Sequence, residues 1–442
     1  MYKKLLKKNF ELQQYAHTII PGLSGLLGKR PELYLPGGKW PTYYSKAKGI
    51  NIWDLSGNKY LDFTMLGIGS CVLGYADPDM NKIAKKIINQ GSMTTLNPIE
   101  DLDLAERLID IHPWAEQVKY ARTGGEIMSM AVRIARAATG KDKVLFCGYH
   151  GWHDWYLSTN LNKSDKLKDH LLPGLEPMGV PKELTNTVIP FRFNNYDDFK
   201  NIVEKNAKNC AAIIIEPARD KIVEKKFLSL LRKIATKNDC VLIFDEITSA
   251  WRNDTSGIHK EISINPDLVT FGKTIANGIP MAALMGRKSI MEYANKTFIS
   301  STNWTERLGP ACAVEFLKKH KRLNVGKILK KNGEKIRKIW TKAAEDSNLK
   351  IEISGILPLS QFKIIDQNWP TIITYFNQEM LKRKILASDR CYSNICQDKK
   401  SLKKYENACC EIFYNIAKYL SEESLSKKLE GPIKQMGFKR LT

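Results

Sequence analysis

Residues 241–246 read Val-Leu-Ile-Phe-Asp-Glu, an apolar run that ends in two carboxylates. Residues 266–273 read Pro-Asp-Leu-Val-Thr-Phe-Gly-Lys, a second apolar run that leads to a lysine. Near-continuous apolar runs of this length are typical of strands that are buried on both faces of a mostly parallel sheet. Because ligands bind beyond the carboxyl ends of such strands, Asp245 and Lys273 stand where a functional site is expected.

A similar sequence pattern extends on both sides of these two runs, from about Asn97 to Leu317. Short apolar runs alternate with stretches of helical periodicity, such as Glu126–Ala138 and Lys226–Lys237. This alternation predicts an α/β fold in which a mostly parallel sheet is covered by helices. The other strand-like runs are QVKYA, VLFCGY, AAIIIEPA and AALMG.

The length of 442 residues predicts more than one domain. We expect a large domain over residues 71–320. Residues 1–70 contain a predicted hairpin, NIWDLSGNKYLDF, with its turn at Ser56-Gly57-Asn58. Residues 321–442 begin with Lys-rich helices and then contain the strand-like segments LKIEISG and QFKII. We expect this C-terminal part and the N-terminal segment to form a smaller α+β domain together.

The composition excludes several classes of protein. Hydrophobic residues make up 43% and charged residues 26%, which argues against a disordered or fibrous chain. The net charge of +22 comes from lysines spread along the chain, without a basic block interleaved with aromatic residues. This pattern argues against a nucleic-acid partner and favours steering of anionic substrates. No apolar run is long enough to span a membrane. Nine cysteines without framework spacing, and the lack of a signal peptide, predict free thiols in the cytoplasm.

Two further motifs follow predicted strands. Gly124 and Gly125 come after QVKYA and open a helix, where backbone amides and the helix dipole favour a phosphate, although a plain tight turn is the alternative. Tyr149 comes after VLFCG and could stack on a flat ring. His150 and His153 follow it without a third ligand, so we expect no metal site.

Lys273 also suggests a nucleotide-binding site. Gly272-Lys273-Thr274 resembles the end of a P-loop, and residues 241–246 resemble a Walker B strand. A P-loop requires a glycine five residues before its Gly-Lys pair, and Asp267 occupies that position. The acidic strand also precedes the lysine, which reverses the usual order. Both departures argue against an ATPase.

The four features together indicate a cofactor. A glycine loop for a phosphate, an aromatic ring, an acidic strand end and a half-buried lysine meet the needs of pyridoxal 5′-phosphate (PLP). A lysine without full solvation loses its charge more readily, which suits Schiff-base chemistry. The carboxylate would keep the ring nitrogen of PLP protonated.

At these residues the chain resembles the class III aminotransferases, PLP enzymes of fold type I, and in particular the branch that includes glutamate-1-semialdehyde aminomutase. The resemblance runs from about Ile19 to the C-terminus and is densest between Gly124 and Gly309. It implies a large domain with a mostly parallel seven-stranded sheet, flanked by helices, and a small α+β domain. The segments that carry it are TGGEIMSMAVRIARAATGKDK, CGYHGWHDW, IIIEPAR, LIFDEITSAWR, PDLVTFGKTIANGIPMAALMG and SSTNWTERLGP.

The resemblance implies a role for each matching residue. Lys273 would form the internal aldimine with PLP and carry a proton during catalysis, and Asp245 would hold the pyridinium nitrogen. The other implied contacts are Tyr149 and Ile247 on the two faces of the ring, Gly124 and Gly125 at the phosphate, Glu216 near the ring or substrate, and Thr302, donated to the phosphate across a homodimer interface.

The chain departs from the family pattern around the expected substrate. The phosphate loop, commonly Ser-Gly-Thr-Glu in the family, reads Thr-Gly-Gly-Glu here, so Gly125 offers no hydroxyl. Ala250-Trp251-Arg252 stands where the family often has Gly-Phe-Arg, and the segment GGKWPTYY is rich in aromatic residues. The candidates for the substrate pocket are Trp40, Tyr43, Trp152 and Arg252.

We therefore expect a PLP-dependent aminotransferase that moves an amino group between a small donor and a keto or aldehyde acceptor. The alternative is intramolecular transfer of the glutamate-1-semialdehyde 2,1-aminomutase type. A more remote alternative is a non-catalytic basic binding protein on the same scaffold. Lys273 together with Asp245 argues against the last of these, since a decayed site would have no reason to keep both.

Overall fold

The computed structural model describes residues 2–5, 8–161, 177–218, 220–254 and 256–436. Its strands are β1 (Tyr44–Lys48), β2 (Asn51–Asp54), β3 (Lys59–Phe63), β4 (Gln117–Ala121), β5 (Lys143–Cys147), β6 (Val188–Pro190), β7 (Cys210–Ile215), β8 (Val241–Asp245), β9 (Leu268–Phe271), β10 (Ala282–Gly286), β11 (Ile351–Ser354), β12 (Leu359–Ile364), β13 (Ile385–Ala387) and β14 (Arg390–Tyr392). Its helices are α1 (Asn9–Ile19), α2 (Leu66–Gly69), α3 (Pro78–Gln90), α4 (Ile99–Ile111), α5 (Gly124–Thr139), α6 (Asp154–Leu157), α7 (Tyr196–Asn206), α8 (Lys225–Lys237), α9 (Ile258–Ile262), α10 (Lys288–Met291), α11 (Leu308–Leu323), α12 (Val325–Asp346), α13 (Trp369–Lys382) and α14 (Lys399–Ser421).

The chain divides into two compact units. The central unit comprises residues 78–327, and the terminal unit combines residues 1–77 with residues 328–436. These divisions follow Asp77 and Lys327, whereas the domain boundaries expected from the sequence follow residues 70 and 320. The expected domains, a large one over residues 71–320 and a small one formed by residues 1–70 and 321–442, stay predictions.

The central unit is built on a seven-stranded sheet in the order β4-β10-β9-β8-β7-β5-β6. Strands β6, β5, β7, β8 and β9 run parallel to one another, whereas β10 is antiparallel to both β9 and β4. The connection from β9 to β10, residues 272–281, is shorter than the dozen or so residues that a parallel crossover needs. The prediction of a mostly parallel, helix-covered sheet is confirmed.

Burial explains why the central strands read as apolar runs. Every residue of β7 and of β8 is buried, because helices cover the sheet on both faces. Helix α8, for example, buries Phe227, Leu228 and Leu231 against this core and leaves its lysines outside. The continuous apolar runs of the sequence therefore follow from a sheet that has no solvent-facing side.

Helix α5 shows how local sequence sets the bounds of an element. Thr123 and Glu126 form a capping box, in which each side chain accepts a hydrogen bond from the other residue's backbone amide. The helix ends at Gly140, whose φ of 66° lies in the left-handed region that glycine adopts without strain. The helix begins at Gly124, where the sequence predicted a helix start, and extends one residue beyond the helical stretch Glu126–Ala138.

The terminal unit contains two small sheets. One has the order β1-β2-β3-β13 and the other has the order β11-β12-β14. The predicted hairpin is the antiparallel pair β2–β3, and Asp54 accepts hydrogen bonds from the amides of Ser56 and Asn58 in its turn. The core of this unit includes Trp340, Phe362 and Tyr405. None of the helices in the described ranges is long and apolar enough to cross a membrane.

Candidate active site

One edge of the central sheet carries the predicted cofactor residues. Tyr149 and Glu216 follow the carboxyl ends of β5 and β7, which are adjacent and parallel. Asp245 is the last residue of β8 and is in register with Thr270 of β9, three residues before Lys273. Four residues that are far apart in the sequence therefore meet at one edge, as the strand directions require.

Asp245 is buried and accepts two hydrogen bonds from the protein. The Nδ1 atom of His150 lies 2.8 Å from Asp245 Oδ2, and the amide of Ile247 donates to Oδ1 at 3.1 Å. The His150 ring is also buried, with the edges of Phe146 and Tyr156 against it. These contacts on both oxygens fix the plane of the carboxylate.

The pairing of His150 with Asp245 was missed by sequence reasoning, which treated His150 as a packing residue or an incomplete metal ligand. The two residues are separated by 95 positions, so no spacing rule connects them. The available signal was the position of His150 directly after a strand that is parallel to the strand of Asp245. Across the described residues, no three His, Cys, Asp or Glu side chains form a group able to hold a metal ion.

Lys273 follows β9 in an uncommon backbone conformation. Its φ of 41° lies in the left-handed region, which residues other than glycine rarely adopt and which is found often at functional sites. Its Nζ donates a hydrogen bond of 2.7 Å to Thr248 Oγ1, and Thr248 is buried. The lysine side chain is half-buried, so the amine has a defined position and restricted contact with water.

Gly124 and Gly125 are the first two residues of α5. The carboxylate of Glu126 accepts hydrogen bonds from the amides of Arg122 and Thr123, which precede the helix. A helix provides no acceptor for the amides of its own first residues. The amides of Gly124 and Gly125 and the helix dipole therefore create a favourable environment for an anion.

Ile247 connects this helix start with the lysine segment. A Cβ atom placed on Gly124 would lie 3.2 Å from Ile247 Cδ1, and one placed on Gly272 would lie 3.1 Å from Ile247 Cγ2. Both distances are shorter than ordinary carbon contacts. The two glycines therefore let Ile247 pack closely against the backbone on each side of the site.

Tyr149 and Glu216 contact each other. The amide of Tyr149 donates to Glu216 Oε2 at 2.9 Å, and the Tyr149 ring meets the edge of Tyr156. Gly148 has a φ of 121°, and a Cβ there would approach Glu216 Oε2 to 2.9 Å. Glu216 thus fixes the turn that presents the Tyr149 ring, and only glycine fits at position 148.

Other predicted residues lie in different environments. Thr302 is exposed at the start of the short 3-10 turn Thr302–Thr305. Trp152 is 70% exposed and meets the ring of His153 with its edge. Arg252 is fully buried and donates through Nε to the carbonyl oxygen of Thr248. Their predicted roles at the phosphate or the substrate stay predictions.

Trp40 and Tyr43 belong to the terminal unit. The Trp40 ring stacks on Tyr34 with a centroid distance of 4.6 Å and is buried in a small cluster with Leu35. Tyr43 is half-buried, and burial raises the pKa of its phenol. For Trp40 this packing is an alternative to the predicted contact with a substrate.

The residues at the sheet edge fit PLP by the chemistry of their groups. A helix start with two glycines suits a phosphate, and the buried carboxylate of Asp245 suits a protonated ring nitrogen. The amine of Lys273 suits a carbonyl carbon, and the ring of Tyr149 suits a flat heterocycle. A cofactor of this kind uses the helix start together with Asp245, Lys273 and Tyr149.

Comparison with known proteins places the chain in a family. The model of the class III aminotransferases matches residues 36–357. A 3-aminobutyryl-CoA aminotransferase of Cloacimonas acidaminovorans is 29% identical over 409 residues, which cover 90% of this chain and 94% of that protein. A glutamate-1-semialdehyde 2,1-aminomutase of Methanobrevibacter smithii is 34% identical over 277 residues, which cover 59% of this chain and 63% of that protein.

The fold matches solved structures as well. The PLP internal aldimine form of the FumI protein of Sphingopyxis sp. MTA144 superposes with a TM-score of 0.84 and 21% identity, covering 94% of this chain and 98% of that one. This similarity confirms the predicted PLP fold type I. The chain belongs to the class III aminotransferases, enzymes that transfer amino groups with pyridoxal 5′-phosphate as cofactor.

Proposed function

We propose that this enzyme is a transaminase that moves an amino group from a small amino donor to a separate keto or aldehyde acceptor, with Lys273 and Asp245 as its reacting residues. One observation carries the proposal. The Lys273 amine and the Asp245 carboxylate follow neighbouring parallel strands, and each is held by a buried partner, Thr248 and His150 respectively.

Bound PLP supplies an electron sink for the carbanion of the substrate and carries the amino group between donor and acceptor. The part of Lys273 is to accept a proton at Nζ from the substrate carbon and to return it to the cofactor side. Its hydrogen bond to Thr248 Oγ1 holds Nζ in place.

Asp245 has an electrostatic part in this scheme. Its carboxylate would keep a proton on the ring nitrogen, which strengthens the electron sink. His150 would donate Nδ1–H to the carboxylate, which orients it and stabilises its negative charge. Tyr149 and Ile247 would exclude water from the two faces of the ring.

The proposed role of Lys273 is tested by reducing the purified protein with borohydride and mapping the labelled peptide. We expect the cofactor on Lys273 and no label in Lys273→Ala, whose amino transfer should fall by about 10³-fold or more. Lys288→Ala is the matched control, because the Lys288 side chain is exposed and its Nζ lies 3.7 Å from the exposed carboxylate of Glu292. Label on a different lysine in the wild type would contradict the assignment.

The choice between transaminase and aminomutase rests on the acceptor. The aminotransferase relative from Cloacimonas aligns over 90% of the chain, and an aminomutase of Methanosarcina acetivorans aligns over 81% of it at the same identity of 29%, so the acceptor has to be tested directly. In the transaminase, a simple donor alone should convert bound PLP to pyridoxamine phosphate and release a keto product. Turnover of a single amino-aldehyde substrate without any second substrate would instead establish the aminomutase.

We also propose that the enzyme works as a homodimer in the cytoplasm. An exposed apolar surface is formed by Met93, Leu96, Ile99 and Leu102. Leu96 is 80% exposed and Ile99 is 67% exposed, and exposed apolar patches often mark protein–protein interaction sites. Thr305, in the same turn as Thr302, donates to Met93 Sδ, so this surface adjoins the residue expected to reach the partner's phosphate. Free cysteines support a reducing compartment.

Light scattering tests the dimer. The double variant Leu96→Asp/Ile99→Asp should be a monomer with little activity, since each site would lose the partner's Thr302. Tyr414→Asp, on the exposed surface of α14 in the terminal unit, is the control and should leave the dimer intact. A wild-type monomer with full activity would contradict the proposal.

A further inference from the structure

His153 occupies the space beside the phosphate loop that a side chain at position 125 would take. A Cβ atom placed on Gly125 would lie 3.0 Å from His153 Nε2 and 3.1 Å from its Cδ2. Gly151 also approaches closely, since a Cβ there would lie 3.1 Å from Gly125 Cα. The loop after β5 therefore packs directly on the start of α5, with an imidazole nitrogen facing Gly125.

The hydrogen bonds around His153 define its tautomer. The indole nitrogen of Trp155 can only donate, and it lies 3.0 Å from Ser129 Oγ. Ser129 Oγ also lies 2.7 Å from His153 Nδ1. Within the described part of the chain Ser129 has no other acceptor, so its hydroxyl donates to Nδ1. Neutral His153 then carries its hydrogen on Nε2, the nitrogen that faces Gly125.

Burial lowers the pKa of His153, and the carboxylates of Glu126 and Asp154 oppose this effect. The neutral, Nε2-protonated ring is thus the form expected near neutral pH. Its Nε2–H group can therefore donate a hydrogen bond to an anion, as can the first backbone amides of α5. The nearby carboxylate of Glu126 is occupied, because its Oε2 accepts from the Arg122 amide and from the amide and hydroxyl of Thr123.

We propose that His153 is a phosphate-binding residue that donates Nε2–H to the cofactor phosphate, in place of the hydroxyl that Gly125 lacks. This inference rests on the proposed cofactor position at Lys273. It makes Gly125 and His153 a matched pair, in which the absence of a side chain at one position creates the room for the imidazole from the other.

The inference is tested by comparing two ligands on the apoenzyme, PLP and pyridoxal, which share the ring and the aldehyde but differ in the phosphate. His153→Ala should weaken PLP binding by about 10-fold or more, the effect of one lost hydrogen bond to a charged group, and should change pyridoxal binding by less than about twofold. His17→Ala, a half-exposed histidine of the terminal unit, should change neither. Thermal unfolding of each apoenzyme verifies that the variants are folded.

Further variants test directly whether a hydroxyl at position 125 can replace the imidazole of His153. Gly125→Thr alone should weaken PLP binding, because its Cβ would press on the imidazole. In Gly125→Thr/His153→Ala the space is free and a hydroxyl stands at the helix start, so PLP binding should recover above that of either single variant. His153→Gln, which keeps a donor, should retain more of the PLP affinity than His153→Ala.

The outcomes separate this inference from the proposed function. Equal losses for PLP and pyridoxal in His153→Ala, or no loss for either, would show that His153 only packs against the loop and would overturn the inference. The same holds if the double variant binds PLP no better than the single variants. Absence of a borohydride label on Lys273 of the wild type would instead refute the proposed function.

Discussion

Asp245 and Glu246 are adjacent carboxylates at the end of β8, and each is buried beside a histidine. Asp245 lies 2.8 Å from His150 Nδ1, and Glu246 lies 2.7 Å from His259 Nδ1. Their remaining contacts differ. Asp245 accepts one further hydrogen bond, whereas Glu246 accepts three more, from the amides of Ile258 and His259 and from the hydroxyl of Ser249.

The difference follows from the alternation of side chains along a strand, which directs the two carboxylates to opposite sides. The protein supplies donors to Glu246 from α9 and from its own turn, so Glu246 holds this turn together. Asp245 faces the edge where Lys273 and Tyr149 lie and keeps acceptor capacity for a further donor. The same pairing with histidine thus serves structure at Glu246 and, in the proposed function, cofactor chemistry at Asp245.

The largest expected effect is on stability, at Glu246. Burial works against its charge, but the hydrogen bonds and charge of His259, with the two amides, lower the pKa of Glu246 below its usual value. Glu246→Ala would leave these buried donors unpaired and should reduce the free energy of unfolding by about 3–5 kcal/mol in urea titrations of the apoenzyme. Glu246→Gln keeps one carbonyl acceptor and should lose less. A loss under about 1 kcal/mol in both variants would contradict the structural role.

The reciprocal effect is expected at Asp245. Asp245→Asn keeps the shape of the side chain but removes the charge, so amino transfer should fall by about 10²–10³-fold in kcat/KM. Its apoenzyme should unfold in urea at nearly the wild-type concentration. The comparison fails if Asp245→Asn destabilises the protein as much as Glu246→Ala does, since the two carboxylates would then have the same structural role.

A smaller effect is expected at His150, which acts through Asp245. His150→Leu removes one hydrogen bond to a charged group and should lower kcat/KM by about 10- to 100-fold. The pH profile of the bound cofactor should shift as well, because the Asp245 carboxylate would lose its neighbour at Oδ2. In an Asp245→Asn background the same substitution should have little additional effect, and a full additional loss would indicate an independent role.

The smallest expected effect is a pH dependence of the free energy of unfolding, caused by His112, which contacts the His259 partner of Glu246. His259 Nε2 lies 3.2 Å from His112 Nδ1, and burial, with His259 and Lys260 nearby, lowers the pKa of His112 to about 2. The unfolded chain takes up a proton near pH 6.5 and the folded chain does not, so stability falls as the pH drops below that value.

Urea unfolding of wild type and His112→Gln between pH 7 and pH 5 measures this contribution. The wild type should lose up to about 1.4 kcal/mol per pH unit through His112, and the variant should lack this loss. The stability difference between the two proteins should therefore shrink on acidification. A difference that grows instead would show that His112 is protonated in the folded state.

Local patterns predicted much of this molecule. The apolar runs predicted six of the seven strands of the central sheet, all except β6, and Gly124 and Gly125 predicted the start of α5. The antiparallel direction of β10 was not predicted, although the short connection after Phe271 was a usable signal. The partners of the site residues were missed, because His150 and Thr248 reach Asp245 and Lys273 across 95 and 25 positions of the chain.

The sequence by itself determined the fold family and the cofactor, because strand-end residues of the right chemistry follow apolar runs in a fixed order. Only the tertiary structure decided that Asp245, and not Glu246, keeps acceptor capacity for a further donor. It also decided that the imidazole of His153, from the loop after β5, fills the space at Gly125. The physical reason is that hydrogen-bond saturation and close packing depend on groups from several strands at one edge. Spacing along one chain does not encode those distances.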